Sequence, residues 1–126
     1  MKLNRLVAAR AVIFSKCAEK LPAHIAYKFA RFLRITDGDE RFFNERFKAI
    51  LDNYAQKDEE GGFVRDGDGI ALNPETAETC KQEIRELEGT EVELQFHFSM
   101  NDMSNLTLSI KDCFDMDDLI KEEEGQ

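Results

Sequence analysis

Residues 61–99, GGFVRDGDGIALNPETAETCKQEIRELEGTEVELQFHFS, decide the fold, because within them the apolar spacing switches from extended to helical and back to extended. Gly61-Gly62 breaks the helical pattern that precedes. Phe63-Val64 and Ile70-Ala71-Leu72 are short extended runs, and Asp66-Gly67-Asp68-Gly69 between them tolerates positive φ, so a β-hairpin is predicted. Asn73, Pro74 and Glu75 then supply a cap, a fixed φ and an acid suited to the positive end of a helix dipole. Ala77, Cys80, Ile84 and Leu87 form that helix's buried stripe, and Gly89 ends it. Val92, Leu94, Phe96 and Phe98 alternate with Glu93, Gln95, His97 and Ser99, the period of a strand with one buried face.

Upstream of this stretch, Leu3, Leu6, Val7, Phe14, Cys17, Ala18 and Leu21 recur at helical spacing and predict an amphipathic helix over 3–19. Pro22 opens a second helix whose apolar side is Ile25, Phe29 and Phe32 or Leu33 and which stops near Ile35. Thr36-Asp37-Gly38-Asp39 reads as a turn with Asp39 as an N-cap, and Phe43, Phe47, Ile50, Leu51 and Tyr54 mark a third helix to Gln56. Downstream, Leu106-Thr107-Leu108 is a weaker strand. Ser109 and Asp112 have capping-box spacing before Phe114, Leu119 and Ile120 on a short final helix, and 121–126 is read as frayed. The order is ααα–ββ–α–β–β–α. It predicts an α+β fold with an antiparallel or mixed sheet of three to four strands. At 126 residues the chain is the size of one domain, with a helical layer over 1–56 and an acidic hairpin, helix and strand layer over 57–126.

Charge divides the chain as sharply as hydropathy does. Residues 1–36 hold eight bases against one acid, a net of +7, while the remainder carries −16, and the whole is −9. Such asymmetry points to docking, either of one half on the other or of each on a charged partner, and not to chemistry. No apolar run approaches the length a bilayer needs, so no membrane partner is expected. Cys17, Cys80 and Cys113 are an odd number without a C-x-x-C pair and read as reduced, mostly buried thiols of a cytoplasmic protein. The N-terminus is basic and amphipathic like an organellar transit peptide, but its apolar positions run on into the folded pattern.

Tyr54-Ala55, Asp58 to Gly61, Asp66 to Gly69, Glu91-Val92-Glu93-Leu94 and Ile110 to Ile120 form a pattern of helical N-terminus, acidic Gly-rich hairpin, E-V-E-L strand and acidic C-terminal helix. It resembles a family of small uncharacterised phage and prophage proteins over most of the chain. The resemblance implies a viral origin and a life in the host cytoplasm during infection, and it brings no catalytic residues with it.

Chemistry-bearing patterns are weak. With Asp66 as the first position of a calcium loop, Ile70, Ala71 and Ala77 fall where an acid, a glycine and a glutamate are required, so the acids read as a turn and no metal ligand is assigned. His24 and His97 have no local nucleophile frame, and neither G-x-x-x-x-G-K nor G-x-G-x-x-G occurs. No catalytic residue and no cofactor is expected. What remains is surface. Asp58, Glu59, Glu60, Asp66 and Asp68 crowd the hairpin, and Asp112, Asp115, Asp117, Asp118 and Glu122 to Glu124 crowd the C-terminus. Such surfaces suit the basic groove of a nucleic-acid-handling protein, because the field that attracts phosphates also attracts carboxylates. Lys28, Arg31 and Arg34 form a candidate basic face pointing outward from the second helix, although the acidity elsewhere argues against direct nucleic-acid binding. The sequence therefore predicts a non-enzymatic phage accessory protein acting by protein contact, an acidic-surface inhibitor of a host defence or nucleic-acid-processing complex. The alternatives are a virion or tail assembly component, in which homo-oligomerisation would matter, and a sponge for a small phosphorylated signal.

Overall fold

Leu3, Leu6, Ala9 and Ile13 repeat at three- and four-residue steps, and in the computed structural model, which describes residues 1–121, they line the buried side of α1, Leu3–Ser15. The helix ends earlier than the expected 3–19. Lys16 and Cys17 donate to the Ile13 and Phe14 carbonyls three residues back, a tightened last turn that leaves Phe14 and Cys17 exposed rather than in the apolar stripe.

The expected second and third helices are one: α2 runs unbroken from Ala23 to Tyr54. No turn occurs at Thr36–Asp39, and Asp39 caps nothing. The reason is a tertiary contact from α1. Arg10 is buried, and it donates from Nε to Glu40 at 2.8 Å and from Nη1 to the Leu33 carbonyl at 2.6 Å and to the Thr36 hydroxyl. Thr36, itself fully buried, passes its own proton to the Phe32 carbonyl one turn back, and Asp37 pairs with Arg41 one turn on. The polar groups that favour a turn are thus committed inside the helix. Gly38 costs about 1 kcal/mol relative to Ala in a helix interior, less than this network and the burial of Phe32 and Ile50 on either side of it contribute.

After α2 the chain folds into three short extended segments, each bonded to the other two. Asp58 and Val64 donate to the Gly62 and Gln56 carbonyls, Ala71 donates to Val64, and Gln56 and Asn73 pair with Ala71 and Tyr54. At the tip, β1 (Arg65–Asp66) and β2 (Gly69–Ile70) form the predicted antiparallel hairpin, closed by Gly67-Asp68. Gly67 has φ +61°, as the first central residue of a tight primed turn requires.

The helix α3, Ala77–Glu88, buries Cys80 and Leu87 and stops at Gly89 as expected. Asn73 is not its cap, because Thr76 donates to the Asn73 carbonyl and Pro74–Thr76 is a turn. The expected strand over 92–99 keeps its alternation and loses its ladder. Val92, Leu94 and Phe96 are half-buried and Phe98 fully buried, while Glu93, Gln95 and His97 are exposed. Only its ends pair: Val92 with the Met1 carbonyl, and Phe98 with Leu119 and Lys121. Between them the segment is held by aromatic packing, Phe98 lying 4.9 Å from Phe29 and 5.5 Å from Phe32 between ring centroids. Leu106–Leu108 likewise joins no ladder. The sheet of three to four strands is therefore corrected to one two-stranded hairpin among the described residues, in a chain of mixed helix and strand.

Two capping boxes start the last helices. Ser99 with Asp102 opens the single turn α4 (Met100–Met103), which the sequence reading lacked, and Ser109 with Asp112 opens α5 (Ile110–Met116) as expected. A 3₁₀ turn, Asp117–Leu119, follows. Met116 and Leu119 are buried here, whereas Phe114, one of the apolar positions that marked the final helix, is exposed. The fraying expected over 121–126 falls, beyond Lys121, outside the described residues. One cluster of buried side chains draws on α1, α2, α3 and the segments after residue 98. Among the described residues no helix is long and apolar enough to cross a membrane.

Candidate functional site

Asp58 is a structural residue of the acidic hairpin. Its Oδ1 accepts from the Glu60 and Gly62 N–H groups at 2.9 Å each, which closes the 58–62 turn around Gly61 at φ +83°. Glu59 and Glu60 lie in that turn, Asp66 ends β1 and Asp68 lies in the hairpin turn, and all five acids are exposed. None forms an ion pair among the described residues. The bases of this segment are Lys57, which reaches Asp52 at 3.6 Å and sits over the Phe63 ring, and the exposed Arg65.

The C-terminal acids are placed differently. α5 packs on α1, and Arg5 reaches across to Asp118 at 3.1 Å, to Asp115 at 3.8 Å and to the Phe114 carbonyl. Asp115 also accepts from Lys111 at 2.8 Å, and that partner raises the Lys111 ammonium above its ordinary value. Asp115 and Asp118 therefore neutralise the basic N-terminal helix from within the molecule. Asp117 stays exposed, and Glu122 to Glu124 lie outside the described residues.

The basic face is also divided. Lys28 points inward to Asp102 at 2.5 Å and lies over the Phe98 ring, a correction to its expected outward direction. Partial burial pushes the Asp102 carboxyl up, but the Lys28 ammonium and the Ser99 N–H and hydroxyl outweigh it and hold the carboxyl below its usual range, so it stays ionised. Arg31 and Arg34 are exposed and make no ion pair among the described residues. The +7 and −16 parts of the sequence thus meet at Arg5, Arg10 and Lys28, each of which finds acids of the later chain.

Reactive groups are scattered. His24 and His97 are exposed on separate elements, and Cys17 and Cys113 are exposed as well, so the expectation of mostly buried thiols holds only for Cys80, whose burial raises its thiol. Among the described residues no group of three or more His, Cys, Asp or Glu side chains is placed to hold a metal ion. A 150 Å³ apolar cavity between α1 and α2 is lined by Val12, Ile13, Phe29, Leu33, Met103 and Leu106.

Arg10 is the polar residue that sequence reading missed. A signal for it was present: Leu3, Leu6, Arg10 and Ile13 share one helical face, so a base on that face had to meet acceptors from a packed neighbour. The chain matches no family model, no curated protein and no solved structure.

Proposed function

We propose that the chain acts by protein–protein contact, with the acidic hairpin as the surface that engages a basic site on a nucleic-acid-processing or defence complex. In the phage setting that the sequence pattern implies, this is the action of an inhibitor in the host cytoplasm. The observation that carries the reading is the contrast between the two acidic clusters. Asp115 and Asp118 are occupied by Arg5, whereas the five hairpin acids form no ion pair among the described residues and sit on or beside turns braced by backbone bonds. A pre-braced group of like charges steers encounter with an opposite surface and loses little entropy on docking.

The test uses the immobilised chain with bacterial lysate, and a variant carrying Glu59→Lys, Glu60→Lys, Asp66→Lys and Asp68→Lys that spares the turn-closing Asp58. Wild type should retain a basic protein that duplex DNA displaces, and the hairpin variant should lose it while Asp117→Lys keeps it. Retention by the hairpin variant, or indifference to DNA, would remove the reading.

A further inference from the structure

The outward side of α2 differs from the rest of an acidic surface. Tyr27, Ile35 and Phe42 are 74%, 52% and 49% exposed along it, and Arg31 and Arg34 stand among them. Gly38 lies at its centre, one turn from Arg34 and one turn from Phe42. Nothing among the described residues calls for that glycine. Its φ lies outside the left-handed region, and a Cβ added there would meet nothing within 4 Å. A glycine that lowers helix propensity without relieving any internal contact leaves a hollow on the surface, flanked by apolar side chains and arginines.

A face of matching character exists on the same chain. Ile110 and Phe114, one turn apart on α5, are 79% and 69% exposed, and Asp117 follows on the same side. The spacing agrees in register. With the two helices antiparallel, Phe114 over Gly38 puts Ile110 beside Phe42, each about 6 Å further along, and brings Asp117 to Arg34 and Arg31. Within one copy α1 packs against both helices, and the apolar residues of the two faces stay exposed.

We propose that the outward face of α2 around Gly38 is the docking surface for the Ile110–Phe114 face of α5 from a second copy of this chain. Apolar residues meet apolar residues, and the arginines meet the aspartate. The contact is heterologous, so each copy offers one face to the next and the assembly extends or closes into a ring.

Sedimentation velocity across a concentration series tests this. Wild type should form species larger than the monomer in proportion to concentration. Ile35→Asp alone and Phe114→Asp alone should each remain monomeric with unchanged circular dichroism and thermal midpoints, both positions being exposed. Mixed together, these two variants should form a dimer and stop there, since each retains the one face the other lacks. Gly38→Leu should fill the hollow, weakening association at least tenfold while leaving the thermal midpoint equal or higher. The hairpin variant should assemble like wild type, which separates this interface from the acidic tip. A wild type that stays monomeric overturns the proposal. So does loss of association in Ile35→Asp with retention in Phe114→Asp, which would mean that two α2 faces meet. A monomer that instead binds a labelled single-stranded oligonucleotide through Arg31 and Arg34 overturns it as well.

Discussion

Arg10→Ala is expected to lower the free energy of unfolding by about 3–5 kcal/mol, the range for breaking a buried charged pair by removing one partner. The side chain is 1% exposed and serves three acceptors on α2, namely Glu40, the Leu33 carbonyl and Thr36. Its loss leaves a cavity between α1 and α2 and uncovers acceptors in the one stretch of α2 whose sequence favours a turn. Domain stabilities are only about 5–15 kcal/mol, so the variant should be largely destabilised at ordinary temperature. Urea denaturation beside Arg34→Ala, which removes an exposed arginine and should stay within about 0.5 kcal/mol of wild type, checks it. Equal midpoints for the two variants would mean that Arg10 is not anchored as described. Restoring volume without charge, as Arg10→Met together with Glu40→Leu, should recover much of the loss, because two apolar partners leave no buried charge unpaired.

Phe98→Ala is expected to cost about as much, roughly 3–5 kcal/mol, as a large-to-small change in a packed core. Phe98 is fully buried, touches Phe29, Phe32 and Phe96, and joins the extended segment to the 3₁₀ turn after α5 and the residues beyond it through bonds of 2.7 and 2.9 Å to Leu119 and Lys121. Gln95→Ala and His97→Ala, on the outward side, should be nearly neutral, and Phe96→Ala should fall between, since Phe96 is only partly buried. Equal midpoints for Phe98→Ala and Gln95→Ala would place the alternation on the wrong register.

These two sites also mark where sequence reading succeeds and where it stops. The faces of residues 92–98 were legible because alternation is local, but a ladder needs a neighbouring strand, and alternation says nothing about whether one exists. Here helices cover the apolar side, and among the described residues no strand lies alongside. The hairpin tip, the stripe of α3 and the Ser109 capping box were legible for the same reason: their signals lie within a few residues. The continuity of α2 was not. Thr36, Asp37 and Gly38 carry turn propensity in isolation, and the decision came from Arg10, 26 residues away from Thr36. The candidate acids were legible as a list but not as two groups, because whether a carboxylate is spent internally depends on where Arg5 falls after folding.

Parallel denaturation of two charge-reversed proteins tests that division of the acids. Asp115→Lys with Asp118→Lys should lower stability by about 1–2 kcal/mol, since the charge-assisted bond from Arg5 to Asp118 and the longer ion pair to Asp115 are lost and like charges replace them. Adding Arg5→Glu to that background should recover part of it. The four-lysine hairpin variant should match wild-type stability, because none of the four acids is paired among the described residues and the net charge of the chain moves toward zero. A destabilised hairpin variant beside an unaffected Asp115 and Asp118 variant would contradict the account, for it would make the hairpin the internal acidic surface and the C-terminus the free one.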